Sequence, residues 1–115
     1  MADCLFCRIV AGEIPATIVK RSDEALAFRD IDGRAPVHVL VIPTRHVAAV
    51  RDAKGADGER LLGRLLAFAA EVAAEQGLDG DGYRIVTNTG KNAGQSVDHL
   101  HLHVLGGRKL TWPPG

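Results

Sequence analysis

Residues 98–105 read Asp-His-Leu-His-Leu-His-Val-Leu, the stretch of this chain with the most chemistry in it. Side chains alternate faces along a strand, so on a strand His99, His101 and His103 share one face and Leu100, Leu102 and Val104 the other. Neighbouring histidines then stand roughly 6.5–7 Å apart at the backbone. Burying three imidazoles without partners is costly, so the row points to a site. Two chemistries fit it. His-x-His on a strand is a workable metal-ligand spacing. Equally, a neutral imidazole is a good nucleophile near pH 7, and a protonated neighbour binds an anionic oxygen, which together suit phosphoryl chemistry.

The residues that lead into this row favour the second chemistry. Asn88–Ser96 is a loop containing Gly90 and Gly94, and glycines let backbone N–H groups approach an anion. Ser96 adds a hydroxyl able to donate a proton, and Asn88 an amide. Beside a histidine strand this loop reads as a phosphate cradle. A second constellation is Cys4-x-x-Cys7, whose spacing suits a metal or a redox pair better than a structural cross-link. Alone it supplies two of the four ligands of a closed zinc site. His38 interrupts an apolar run and needs a polar partner there.

The elements that must position these groups follow from patterning. Cys4–Ala11 reads as a short helix ending at Gly12. Thr17–Arg21 and Ala25–Asp30 read as strands joined by a turn at 22–24, and residues 30–36 as a turn-rich connection. Val37–Ile42 is β-branched and apolar, a buried strand stopped by Pro43, with His38 on the same face as Leu40 and Ile42. From Asp57 to Gln76, Leu61, Leu62, Leu65, Leu66, Ala69, Val72 and Ala73 form one helical stripe, with Asp57 as N-cap and Gly77 as stop. Tyr83–Asn88 and His99–Leu105 are the last strands. Strands with hairpin-type connections around one long helix predict an α+β domain on an antiparallel sheet.

With these segments laid out, the chain resembles the histidine triad (HIT) superfamily, defined by His-x-His-x-His-x-x with x apolar, here His99 to Leu105. The resemblance covers nearly the whole chain, including Phe6-Cys-Arg-Ile-Val-Ala-Gly-Glu-Ile-Pro15, Ala35-Pro-Val-His-Val-Leu-Val-Ile-Pro43 and Gly94-Gln-Ser-Val97. The ending Trp112-Pro-Pro-Gly115 is similar to the Hint branch, the histidine triad nucleotide-binding proteins. The resemblance implies a HIT-like fold of about five strands per protomer, with one long and one short N-terminal helix, in a homodimer. It implies a purine nucleoside phosphoramidase: an adenosine 5′-monophosphoramidate loses its amine to form nucleotidyl-His101, and water releases AMP (or GMP). His103 would bind the α-phosphate, Ser96 would help protonate the leaving group, and the backbone of Gly94, Gln95 and Ser96 would carry phosphate oxygens. Asp30 would accept the ribose hydroxyls, Ile31 would pack on the base, and Asn88 and His38 would line the site. The tail with Trp112 would reach toward the partner's site. Some Hint-like proteins bind zinc through a cysteine pair, a histidine after Pro-x-x-His and the first triad histidine, which correspond here to Cys4, Cys7, His46 and His99. A structural zinc is therefore expected, and no catalytic metal. Rival readings are a dinucleoside polyphosphate hydrolase, a nucleotide-responsive interaction module with incidental hydrolysis, and a catalytic metal site on the triad.

Composition sets the outer bounds. The 115 residues fit one domain, 1–115, able to bury about two-thirds of its unfolded surface. Hydrophobic residues are 46% and charged residues 24%, which argues against disorder. Lys plus Arg and Asp plus Glu are 14 each, and a neutral chain is a poor coat for nucleic acid. No apolar run approaches the ~20 residues that span a bilayer. The start, Met-Ala-Asp-Cys, lacks a basic stretch followed by an apolar one, so no leader is expected. A cytoplasmic protein without membrane or nucleic-acid partners is the expectation.

Overall fold

The computed structural model describes residues 3–115; residues 1 and 2, part of the N-terminus read for a leader, lie outside the described residues. The elements are α1 (Leu5–Val10), β1 (Ile18–Arg21), β2 (Ala25–Arg29), β3 (Val37–Pro43), α2 (Gly55–Glu75), β4 (Tyr83–Val86) and β5 (Leu102–Gly106). Single 3-10 turns occupy Val50–Asp52 and Lys91–Ala93. The five strands form one antiparallel sheet in the order β1-β2-β3-β5-β4. The α+β class and its antiparallel sheet are as expected. The connections are not all hairpins, because β5 inserts between β3 and β4. That insertion sets the triad segment beside His38.

Strand parity divides the apolar residues between two faces. Ala25, Ala27, Val39, Val41, Leu102 and Val104 pack under Leu61, Leu65, Phe68, Ala69, Val72 and Ala73 of α2. Fully burying a Leu- or Phe-sized side chain contributes roughly 1.5–3 kcal/mol, so this layer is the main anchor of the sheet. On the opposite face Leu26, Phe28, Leu40 and Ile42 pack with Phe6 and Ile9 of α1. The register carries one row across that face: Phe28 pairs with Leu40, Leu40 with His103, and His103 with Val86.

Three expectations need correction. Helix α2 starts two residues early, with Lys54 as N-cap, because Asp57 is turned to Arg45 (2.7 Å) and Arg60 (3.3 Å) instead of capping. Leu66, placed on the buried stripe, is 54% exposed, whereas Phe68 is wholly buried. A stripe counted by spacing alone is wider than the face that meets the sheet. The last strand starts at Leu102, three residues later than expected, since the Leu100 N–H goes to the Val47 carbonyl (2.6 Å) and the ladder with β3 begins only at the pair Val41 and Leu102. No described helix is long and apolar enough to cross a membrane.

Candidate functional site

Each triad histidine has its ring fixed by a different partner. His101 Nδ1 lies 2.7 Å from the carbonyl oxygen of His99. A carbonyl only accepts, so Nδ1 carries the proton and Nε2 keeps its lone pair. The carbonyl of His101 accepts from the Thr87 hydroxyl at 2.9 Å, which holds the backbone there. The edge of Phe6 meets the His101 ring at 5.2 Å between centroids, almost perpendicular. His101 is only 3% exposed, yet with His103 it lines a cavity of about 260 Å³.

His103 belongs to a hydrogen-bond chain. The backbone N–H of Arg34 donates to His38 Nδ1 at 3.0 Å, so His38 carries its proton on Nε2. That Nε2–H points to His103 Nδ1 at 2.9 Å. His103 Nδ1 therefore accepts, and its own proton sits on Nε2. Burial, then the nearby His101 and His38, push His103 down to about 4, against a smaller upward pull from Asp30. His38 is also lowered, first by burial. Near neutral pH His103 thus offers an uncharged N–H donor, where the sequence suggested a protonated ring. Asp30, His38 and His103 also bring three ligand-type atoms within 4.8 Å. The Arg34 N–H counts against a metal there, because it keeps His38 Nε2 protonated.

His99 turns to a different cluster. Its Nε2–H donates to the Pro43 carbonyl at 2.9 Å, which leaves Nδ1 bare. That Nδ1 lies 3.3 Å from Cys4 Sγ and 3.5 Å from Cys7 Sγ, and His46 Nδ1 lies 3.3 Å from Cys7 Sγ. All four ligand atoms fall within 4.8 Å of one another. In a tetrahedral site with Zn–S of about 2.3 Å and Zn–N of about 2.05 Å, sulfur and nitrogen stand about 3.5 Å apart, so this donor set fits a metal ion. The Pro43 carbonyl behind His99 is the outer-shell partner that metal-binding histidines commonly have. Cys4 caps α1, its sulfur accepting the Cys7 N–H at 3.3 Å, so the helix turn itself sets the two thiols on one side. Burial, then Cys4, raise the Cys7 thiol, so a cation must displace its proton on binding.

The remaining expected residues divide by position. Asp30, Ile31, Ser96, His101 and His103 line the cavity. Ile31 is fully exposed at its rim. The apolar wall is Phe6, Ile9, Ile14, Phe28 and Leu40. Sequence reasoning gave these no role of their own, although Phe28 and Leu40 sit on the same strand face as His38. His38 stands behind His103, outside the lining; Asn88, Gly94 and Gln95 are not part of the lining either. The Gln95 amide is spent on its own loop: it donates to the carbonyls of Ala48 (2.7 Å) and Val97 (3.0 Å) and accepts the Gly90 N–H (2.9 Å). The N–H groups of Gly94 and Gln95 also close the turn, onto the carbonyls of Lys91 and Gly90. The cradle is therefore narrower than expected, since two of its three amides serve the loop. Gly90 and Gly94 both hold left-handed φ values, +81° and +76°, which is why the turn needs glycine. Ser96 and Val97 also border a second, more open cavity of about 470 Å³ with Cys4, His46 and Asp98.

Similarity to known proteins extends over almost the whole chain. The HIT domain model matches residues 11–110. An uncharacterized HIT-like protein of Synechococcus elongatus is 51% identical over 113 residues, covering 98% of this chain and 97% of that protein. The crystal structure of a HIT family hydrolase from Legionella pneumophila superposes with a TM-score of 0.94 at 50% identity, covering 98% of this chain and all of the other. A histidine triad nucleotide-binding protein from Candida albicans gives a TM-score of 0.82 at 30% identity, over 96% of this chain and 83% of the other.

Proposed function

Because the chain belongs to the HIT domain family and is similar throughout to a HIT family hydrolase, we propose that it is a nucleotide-binding hydrolase of the Hint type. The substrate class is a purine nucleoside 5′-monophosphoramidate, adenosine foremost, and the product is AMP and an amine. The observation that carries this reading is the His101 tautomer, with Nδ1–H held by the His99 carbonyl and the Nε2 lone pair on a ring that lines the cavity.

The steps balance as two displacements. His101 Nε2 attacks the α-phosphorus and the P–N bond breaks. The departing nitrogen takes a proton, for which the Ser96 hydroxyl at the junction of the two cavities is the nearby donor. The positive ring of nucleotidyl-His101 is stabilised at Nδ1–H by the His99 carbonyl. Water then attacks phosphorus and gives up a proton that restores the Ser96 hydroxyl, His101 leaves as neutral imidazole, and the nucleoside monophosphate departs. His103 Nε2–H and the Ser96 side of the loop hold phosphate oxygens, supplying charge stabilisation where it develops. Asp30 accepts the ribose hydroxyls, and Ile31 with the apolar wall takes the base. Asn88 and the Gly94–Gln95 backbone support the phosphate side from behind.

Cys4, Cys7, His46 and His99 would hold one structural zinc, whose contribution is to tie α1 to the triad segment. A two-fold dimer is part of the same reading, since β4 ends the sheet and Leu66 lies exposed on α2.

The decisive experiment is covalent trapping. The protein is mixed with a labelled adenosine phosphoramidate, quenched, and the adduct mapped. Label on His101 is expected, and His101→Asn should abolish turnover while keeping AMP binding. Turnover without an adduct, or an adduct elsewhere, overturns the mechanism. Faster cleavage of diadenosine polyphosphates than of phosphoramidates overturns the substrate class.

A further inference from the structure

The two oxygens of the Asp30 carboxylate have different surroundings. Oδ1 accepts the Asp32 N–H at 2.9 Å and closes a turn. Oδ2 lies 3.3 Å from His38 Nε2, the same nitrogen that stands 2.9 Å from His103 Nδ1. That N–H is bonded to the imidazole nitrogen, and the carboxylate oxygen lies beside it at ion-pair distance. The Asp30 side chain is 19% exposed and the His38 side chain 6%, so this contact is poorly screened by water. A residue that only bound ribose would need no such contact.

Asp30 could help in two ways. Its charge favours the His38 orientation in which Nε2–H, and not the other ring face, meets His103. It also supplies the negative charge nearest the imidazole pair when His103 donates toward a phosphoryl oxygen and the pair gains positive character. We propose that Asp30 is a positioning residue for the reaction: with the His38 tautomer set by the Arg34 N–H, the Asp30 carboxylate holds the His38 ring in the orientation that keeps its Nε2–H on His103 Nδ1 and so presents the His103 Nε2–H to the phosphoryl group, apart from any hold on ribose. This rests on the nucleotide reading above. The groups facing His103 are His101, His38 and Asp30, and those facing His38 are His103, Asp30, Asp32 and Arg34.

The test removes ribose hydroxyls and the carboxylate separately. Wild type and Asp30→Asn are compared on an adenosine phosphoramidate of a simple alkylamine and on its 2′,3′-dideoxy analogue. Asn keeps the acceptor for the Asp32 N–H, so the turn is retained, and a thermal melt checks the fold. On the dideoxy substrate, which has no hydroxyl to lose, Asp30→Asn should still lower kcat by about tenfold or more with little change in KM. A kcat loss below about threefold on that substrate overturns the proposal, because Asp30 would then act through ribose alone. The ligand-free protein gives a second readout. NMR titration of the ring nitrogens should show His38 and His103 protonating at lower pH in Asp30→Asn, since the carboxylate favours their charged forms. Unmoved titrations also overturn the proposal. Failure of wild type to cleave either substrate would instead remove the hydrolase reading, with the titration still deciding whether Asp30 acts on the ring pair.

Discussion

The triad histidines are similar in sequence and unlike in surroundings, and those surroundings assign protons. A carbonyl fixes His101, a backbone N–H acting through His38 fixes His103, and a second carbonyl fixes His99. The pH consequence belongs to His103 first. Its value is lowered from 6.5 to about 4 by burial and its histidine neighbours, so between those values the unfolded chain binds a proton that the folded chain does not. Its contribution to stability is present above about pH 6.5 and is lost as pH falls toward 4. His38 and His99 are lowered as well and act in the same direction. Urea midpoints should therefore fall between pH 7 and pH 4.5. In His103→Gln that fall should be shallower, and an equal slope in both proteins would show that His103 takes no part in it.

At the scale of elements, α1 has the most to explain. It is six residues long, too short to be stable alone, and it is held by Phe6 and Ile9 on the sheet and by its two cysteines beside His46 and His99. Metal analysis of reduced, untagged protein should give about one zinc per chain. Replacing Cys4 and Cys7 by Ser should remove it and lower the melting temperature more than it lowers turnover; unchanged metal content would count against the cluster as its site. The elements were largely legible in the sequence because their cues are local: the β-branched apolar run of 37–42, the glycine after α1, the helical stripe of 61–73. Long-range partners were not. Nothing near Leu100 shows that its N–H goes to Val47, so the start of β5 was misplaced. Nothing near Gln95 shows that its amide will close a loop onto Ala48. The pairing of His38 with His103 depends on β5 entering between β3 and β4, which no pattern along either segment encodes. The face shared by His38, Leu40 and Ile42 was readable, and so was the side chosen by Leu100, Leu102 and Val104.

For the whole molecule, three open features lie outside the cavity lining. Strand β4 is an edge, and Leu66 is exposed on α2. Trp112 is exposed too, with the Arg84 guanidinium 6.0 Å from its ring and an Arg84 N–H on the Thr111 carbonyl at 3.0 Å. A second copy of the chain covering the first two would leave the tail free to extend toward the neighbouring site. Sedimentation should give about twice the chain mass at micromolar concentration, and Leu66→Glu should shift the boundary toward the single chain. A wild-type protein that sediments as one chain across that range would remove the dimer from the reading.

The two-sided sheet has a practical corollary. In β2 and β3 the odd positions 25, 27, 39 and 41 belong to the scaffold under α2, while 26, 28, 40 and 42 belong to the layer that includes the pocket wall. Exchanges at 28 and 40 would reshape the cavity without touching the α2 layer, provided they keep the buried volume that holds α1 on the sheet.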